Sequence, residues 1–185
     1  HVYENALVTP AVRKANGTHS TPSALVDYMV WQLWPWIEAL PPERRHVFEP
    51  ACGHGAFLVC ALRLLRQWSD ITDPKARHDY LKRHLHGIES DAFALEVARL
   101  RLTLADIPNP NGWRLDPVKD MFDGDYLAEK IAANSVIIAN PPFENVEISA
   151  KERASGDLRY ARSGQAGELL QRIVNHAAPG SLFGI

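Results

Sequence analysis

The chain has 185 residues, of which 46% are hydrophobic and 23% charged, with a formal net charge of −2. That length holds one sizeable core, and the near-neutral charge excludes a globally basic nucleic-acid binder while leaving room for a local basic face. No run approaches a membrane span, nothing near the N-terminus reads as a secretory signal, and Cys52 and Cys60 give neither a disulfide framework nor zinc spacing, so a reducing cytoplasm is the expectation.

In chain order, "PSALVDYMVWQLWPWIEA" (22–39) repeats apolar residues on one wide helical stripe, with Thr21 as N-cap, Pro22 as first helical residue and a kink or end at Pro35. "HVFEP" (46–50) reads as a strand and "GAFLVCALRLLRQW" (55–68) as an apolar helix packed on a sheet. Residues 69–80 are polar and contain Asp73-Pro74, which reads as an exposed excursion. "HLHGIE" (84–89) is a second strand, followed by a helix over 91–105 capped by Asp91. A weak strand lies within 113–122, a clear buried one is "SVIIA" (135–139), and 144–165 is charged and Gly/Ser-bearing, as a mobile loop would be. A helix over 167–178 and a strand opening at "SLFGI" complete the pattern. The alternation implies an α/β fold: a Rossmann-like, doubly wound, mostly parallel sheet flanked by helices. Such sheets bind ligands at the carboxyl ends of their strands.

Each candidate motif falls at such an end. In "EPACGHGAFL" (49–58), Gly53 and Gly55 allow a tight turn and close backbone approach. Leu58 occupies the third glycine position of a dinucleotide fingerprint, and the acid Glu49 suits a cationic or hydroxyl-rich ligand better than a phosphate. Glu89 ends the second strand, where an acid can accept ribose hydroxyls; it lies 36 positions after Gly53, against roughly 20 in a dinucleotide site. The helix start at Thr21 could also hold a carboxylate. "IIANPPF" runs from a buried strand into Asn140, Pro141, Pro142 and Phe143. The Asn140 side-chain oxygen and the Pro141 carbonyl are two acceptors pre-aimed by proline. Two acceptors on the N–H groups of a planar exocyclic amine favour a pyramidal nitrogen with an available lone pair. Phe143 offers a face on which a base can stack.

"NPPF" after a buried strand, "EPACGHGAFL" upstream and "HSTP" before that resemble the S-adenosylmethionine-dependent DNA adenine-N6 methyltransferases of restriction-modification systems, in the gamma-like motif order. The resemblance covers roughly residues 12–185. It implies catalytic roles for Asn140, Pro141, Pro142 and Phe143, the last stacking on an adenine flipped from double-stranded DNA. For S-adenosylmethionine it implies the loop Glu49, Pro50, Ala51, Cys52, Gly53 and Gly55 with Phe57, the ribose acid Glu89 with Ser90, and Thr21 at the methionine carboxylate. Asp120 would receive the cofactor adenine's amine, with Met121 or Phe122 packing nearby and Asp116 as the rival. No metal is implied; His54, His84 and His86 read as backbone-driven or packing positions. His19 and Ser20 stand where the family often has aromatic residues.

The resemblance further implies a single catalytic domain (residues 1–40 a helical part, 46–185 the α/β core) belonging to a longer protein, with C-terminal strands and a target-recognition region or specificity subunit elsewhere. By itself the chain is expected to give no sequence-specific shift of duplex DNA. A methyltransferase acting on an RNA base amine or a protein glutamine, and a non-catalytic nucleic-acid or nucleotide-binding module of the same fold, remain the alternatives. The former tend to carry a tyrosine where this chain has Phe143.

Overall fold

The computed structural model describes residues 21–107, 109, 112–122, 125–141 and 164–185. Pro142, Phe143 and the expected loop up to residue 163 lie outside them, as do His19 and Ser20. The elements in order are α1 (Ser23–Ala39), a short 3-10 turn (Pro42–Arg44), β1 (Val47–Glu49), α2 (Ala56–Trp68), α3 (Pro74–His84) and β2 (Leu85–Glu89). There follow α4 (Ala92–Ala105), β3 (Arg114–Pro117), α5 (Tyr126–Ala133), β4 (Val136–Ile138), α6 (Gly164–His176) and β5 (Leu182–Gly184). The strands form one sheet in the order β3-β2-β1-β4-β5, and every pairing is parallel.

Period-two alternation splits the core into two layers. Val47, Leu85, Leu115, Val136 and Ile138 join a cluster with the buried residues of α1, α2 and α4. Phe48, Ile88, Ile137 and Ala139 join a second cluster with Leu127 and Ile131 of α5 and Leu169 and Ile173 of α6. Helices therefore cover both faces, as a parallel sheet requires. Arg45 closes the end away from the strand carboxyl termini. Its guanidinium donates to the carbonyls of Leu40 (2.9 Å) and Glu38 (2.8 Å) and reaches that of Trp68 (3.5 Å), taking up acceptors that the ends of α1 and α2 leave unpaired.

Several elements differ from expectation. The polar stretch is a helix: Asp73 accepts the Ala76 N–H at 2.7 Å as N-cap and Pro74 starts α3. An Asp-Pro pair serves a helix start as well as a turn. Tyr80 and Leu81 bury its inner face. A further helix, α5, supplies the crossover that parallel strands demand between β3 and β4. Proline at 35 does not end α1, because Val26, Val30, Trp34 and Ile37 keep one buried stripe on both sides of it. Thr21 does not cap α1; Pro22 is the N-cap residue, and no side chain caps that end. Asp91 does cap α4, accepting the N–H groups of Phe93 and Ala94. The last helix starts at Gly164 and stops at His176, a few residues earlier than its periodicity suggests.

Among the described residues no helix is long and apolar enough to cross a membrane. At Gly87 of β2, a Cβ would meet Leu58 Cδ1 at 2.9 Å, Leu115 Cδ2 at 3.0 Å and Cys52 Sγ at 3.1 Å. Gly87→Ala should therefore destabilise the fold by about 1–3 kcal/mol in a denaturant titration, the usual cost of overpacking a core. An unchanged midpoint would mean the layer between β2 and α2 has slack.

Candidate functional site

Strand order reverses at β1, whose neighbours are β2 on one side and β4 on the other. Chains leaving the carboxyl ends of β1 and β4 therefore flank the switch point, where open α/β sheets bind ligands. The register Phe48↔Ile137 sets those ends side by side.

The loop after β1 turns through three left-handed residues, Ala51 (φ 55°), Gly53 (φ 50°) and Gly55 (φ 68°). At Gly55 a Cβ would also come within 3.0 Å of Ala98 Cβ in α4, so both conformation and contact demand glycine. At Gly53 nothing lies within 4 Å of an added Cβ, so the backbone there borders open space. Alanine in the left-handed region costs about 1–2 kcal/mol. The surroundings impose it: the Cys52 N–H donates to the Ile88 carbonyl at 2.8 Å and the Gly55 N–H to the Cys52 carbonyl at 2.7 Å. Arg101 of α4 donates to the His54 carbonyl at 2.8 Å.

Two carboxylates hold this loop. Glu89 accepts backbone N–H groups from Gly53 (2.7 Å), Ser90 (2.8 Å) and Asp91 (2.9 Å), and its fourth donor is the Ser90 hydroxyl (3.2 Å). It thus ties the end of β2 to the glycine loop. Glu49 is 3% exposed and accepts the Leu58 N–H at 3.2 Å. Burial pushes its carboxyl well above the ordinary range; the Leu58 hydrogen bond opposes this, and the nearby Glu89 adds to it. Cys52 is buried, and burial together with Glu49 and Glu89 pushes its thiol far up.

The two aspartates proposed for one role differ. Asp116 Oδ2 accepts from Tyr126 Oη at 2.7 Å, lies 2.9 Å from His86 Nε2 and 3.5 Å from Lys130 Nζ. Burial opposes its ionisation, but hydrogen bonds from Tyr126 and His86 outweigh that and keep it below its usual range. His86 is held down by burial. That network joins β2, β3 and α5. Asp120 lies beyond the carboxyl end of β3 and accepts the Phe122 N–H at 2.8 Å. Met121 is buried in the second cluster, and Phe122 and Ala51 pack against it. His84 stacks between His46 and Tyr80, away from the switch point.

After β4, Asn140 is half-buried and Pro141 buried. Asn140 Nδ2 donates to Thr21 Oγ1 at 3.0 Å, across 119 residues of sequence. Direct contacts thus join Glu89 to Gly53 and Asn140 to Thr21. The Asp116 network, the Arg101 brace and the Thr21–Asn140 bond were not anticipated; tertiary packing creates all three, and local patterning carries no sign of them.

A doubly wound parallel sheet in this strand order, with acids and an Asn-Pro step around its switch point, defines the class: this is the fold of the class I methyltransferases. The chain belongs to the N-6 DNA methylase family, whose model matches residues 1–175. It is 28% identical over 166 residues to the type I restriction enzyme MjaIX methylase subunit of Methanocaldococcus jannaschii, a match covering 85% of this chain and 25% of that relative. The chain thus spans about a quarter of that relative's length. Among solved structures it is similar to a chain of the DrdV–DNA complex, with TM-score 0.66 and 16% identity over 95% of this chain and 20% of that one. It is also similar to a modification subunit of a putative type I restriction enzyme from Vibrio vulnificus YJ016, with TM-score 0.61 and 23% identity over 95% of this chain and 34% of that one.

Folding favours protonated Glu49, so its contribution to stability is present below the ordinary carboxylate value of 4.5 and is lost as pH rises through the raised value. Glu49→Gln removes that dependence. The melting temperature of the variant relative to wild type should climb from pH 5 to pH 8, following up to about 1.4 kcal/mol per pH unit within the window. A gap that stays constant with pH would show that the acid is not held neutral.

Proposed function

We propose that this chain forms the cofactor-binding and catalytic domain of an enzyme that transfers a methyl group from S-adenosylmethionine to N6 of an adenine flipped out of DNA, within a restriction-modification system. One observation carries the reading. The Asn140-Pro141 step and the acid-held glycine loop leave neighbouring strands at the switch point of this fold, in a chain of the N-6 DNA methylase family.

The loop's chemistry fits the cofactor. Open space faces Gly53, and Glu89 stands where a hydroxyl-bearing ribose would be held, while the buried Glu49 supports the loop from behind through the Leu58 N–H. Bound there, S-adenosylmethionine supplies a methyl group on an electron-poor sulfur. Glu89 holds the ribose. A carboxylate has about two acceptor sites on each oxygen. Oε1 takes both Ser90 donors and the Asp91 N–H while Oε2 takes the Gly53 N–H alone, so Oε2 keeps a site for one ribose hydroxyl and a second would replace the Ser90 hydroxyl on Oε1. Ser90 lies beside the ribose, while Glu49, Pro50, Ala51, Cys52 and Phe57 shape the loop and its support. Asp120, with Met121 behind it, accepts from the cofactor's adenine amine; Asp116 is committed to its own network. Asn140 Oδ1 and the Pro141 carbonyl accept the two N–H groups of the target amine. Pro142 restricts the residue before it, and Phe143 stacks on the flipped base, worth about 1–3 kcal/mol against an unstacking cost of a few. DNA as partner, and a specificity subunit or target-recognition region beside it, are supported by relatives that include a DNA complex and type I assemblies. The two free, buried thiols suit work in the cytoplasm.

Glu89→Ala should weaken S-adenosylmethionine binding in calorimetry by about 1.5–3 kcal/mol, the worth of hydrogen bonds to a charged acceptor. Equal affinity in wild type and variant would remove the ribose assignment. Asn140→Ala should cut single-turnover methylation of adenine in DNA by at least about a hundredfold with cofactor affinity nearly unchanged, because its acceptor acts on the target amine. Methylation near the wild-type rate would refute the amine-polarising role, and methylation of RNA or protein alone would redirect the substrate.

A further inference from the structure

We infer that the Thr21 hydroxyl is a positioning group for the acceptor amide of Asn140, an inference that rests on the methyl-transfer reading above. The terminal torsion of asparagine is broad and roughly two-fold, so nothing intrinsic decides whether oxygen or nitrogen faces outward. The difference is chemical. An outward oxygen accepts an N–H of the target amine; an outward nitrogen sets donor against donor and removes one of the two acceptors. In the structure the nitrogen is taken: Asn140 Nδ2 donates to Thr21 Oγ1 at 3.0 Å. The oxygen is left for the amine. Pro141 constrains the backbone beside it, so the backbone carbonyl is aimed by a ring and the side-chain oxygen by a hydroxyl.

Thr21 can do this because its hydroxyl is not used as a helix cap. Pro22 is the N-cap of α1, without a side-chain capping bond. Its carbonyl accepts the N–H groups of Leu25 and Val26 at 2.9 and 3.0 Å, which starts the helix directly after Thr21. Val26, Val30, Trp34 and Ile37 of α1 are buried in the same cluster as Val136 and Ile138 of β4. One packed layer therefore sets the position of both partners, although 119 residues separate them.

A hydroxyl has lone pairs and one hydrogen and could pair with either end of the amide. Once that hydrogen is given to a cofactor carboxylate the Thr21 oxygen can only accept, which holds Nδ2 toward Thr21, as in the structure, and Oδ1 outward. The two roles are separated by which constant changes. Thr21→Val keeps the shape and removes the acceptor; Thr21→Ser keeps the acceptor. In the complete methyltransferase with duplex DNA, Thr21→Val should lower the single-turnover rate at saturating S-adenosylmethionine about tenfold to a hundredfold, with Thr21→Ser within about threefold of wild type. In an Asn140→Ala background, Thr21→Val should add no further loss of rate, since the group it positions is gone. Should Thr21→Val melt well below wild type, Thr21→Ala is read by the same ratio against Thr21→Ser. A Val variant with a rate at saturating cofactor within about twofold of wild type, whatever its cofactor affinity, overturns the inference, and so does equal loss in Val and Ser. A wild-type protein that does not methylate adenine overturns the functional reading and this inference with it; an active wild type with a fully active Val variant overturns the inference alone.

Discussion

The arrangement depends on the reversal of strand order at β1. Parallel strands must be joined by crossovers, and the chain first winds outward through β2 and β3, then returns past β1 to add β4 and β5. One half of the sheet delivers the glycine loop and its acids. The other delivers an amide and a proline carbonyl. The two halves contribute different acceptors, carboxyl oxygens to one side of the switch point and amide and peptide oxygens to the other. Without the reversal, Glu49 and Asn140 would end strands that are not neighbours.

Backbone geometry at the crevice is held by hydrogen bonds from its surroundings. Ala51 occupies a conformation that few L-residues adopt, and the bonds from Cys52 and Gly55 and the Glu89 tie to Gly53 set the turns around it. Far from the crevice, Arg45 satisfies helix-end carbonyls on α1 and α2 with one side chain. The contrast is physical. Carboxylates collect N–H groups at the carboxyl end of the sheet, where helices begin, and a guanidinium collects carbonyls at the opposite end, where they finish.

Much of this was legible in the sequence because it is local. The apolar runs of β1, β2 and β4, the glycines of the loop, Asp91 as a cap and the Asn-Pro step all act within a few residues of themselves. What was not legible has specific causes. Asp73-Pro74 carries the same letters whether it turns the chain or starts α3. In α5 the inward face is little more than Leu127 and Ile131, too few for a clear period. Asp116 and Asp120 could not be separated by spacing; they part once His86 and Tyr126 arrive from other elements. The Thr21–Asn140 bond spans most of the chain, and no pattern of neighbours encodes it.

Cys52 illustrates what burial does for a site of this kind. Thiolates are strong nucleophiles and thiols are not. As a thiolate, Cys52 would be the reactive atom of the loop after β1. Burial and the two neighbouring carboxylates keep that sulfur protonated. Sheltering the loop's thiol inside the fold therefore also keeps it a poor nucleophile.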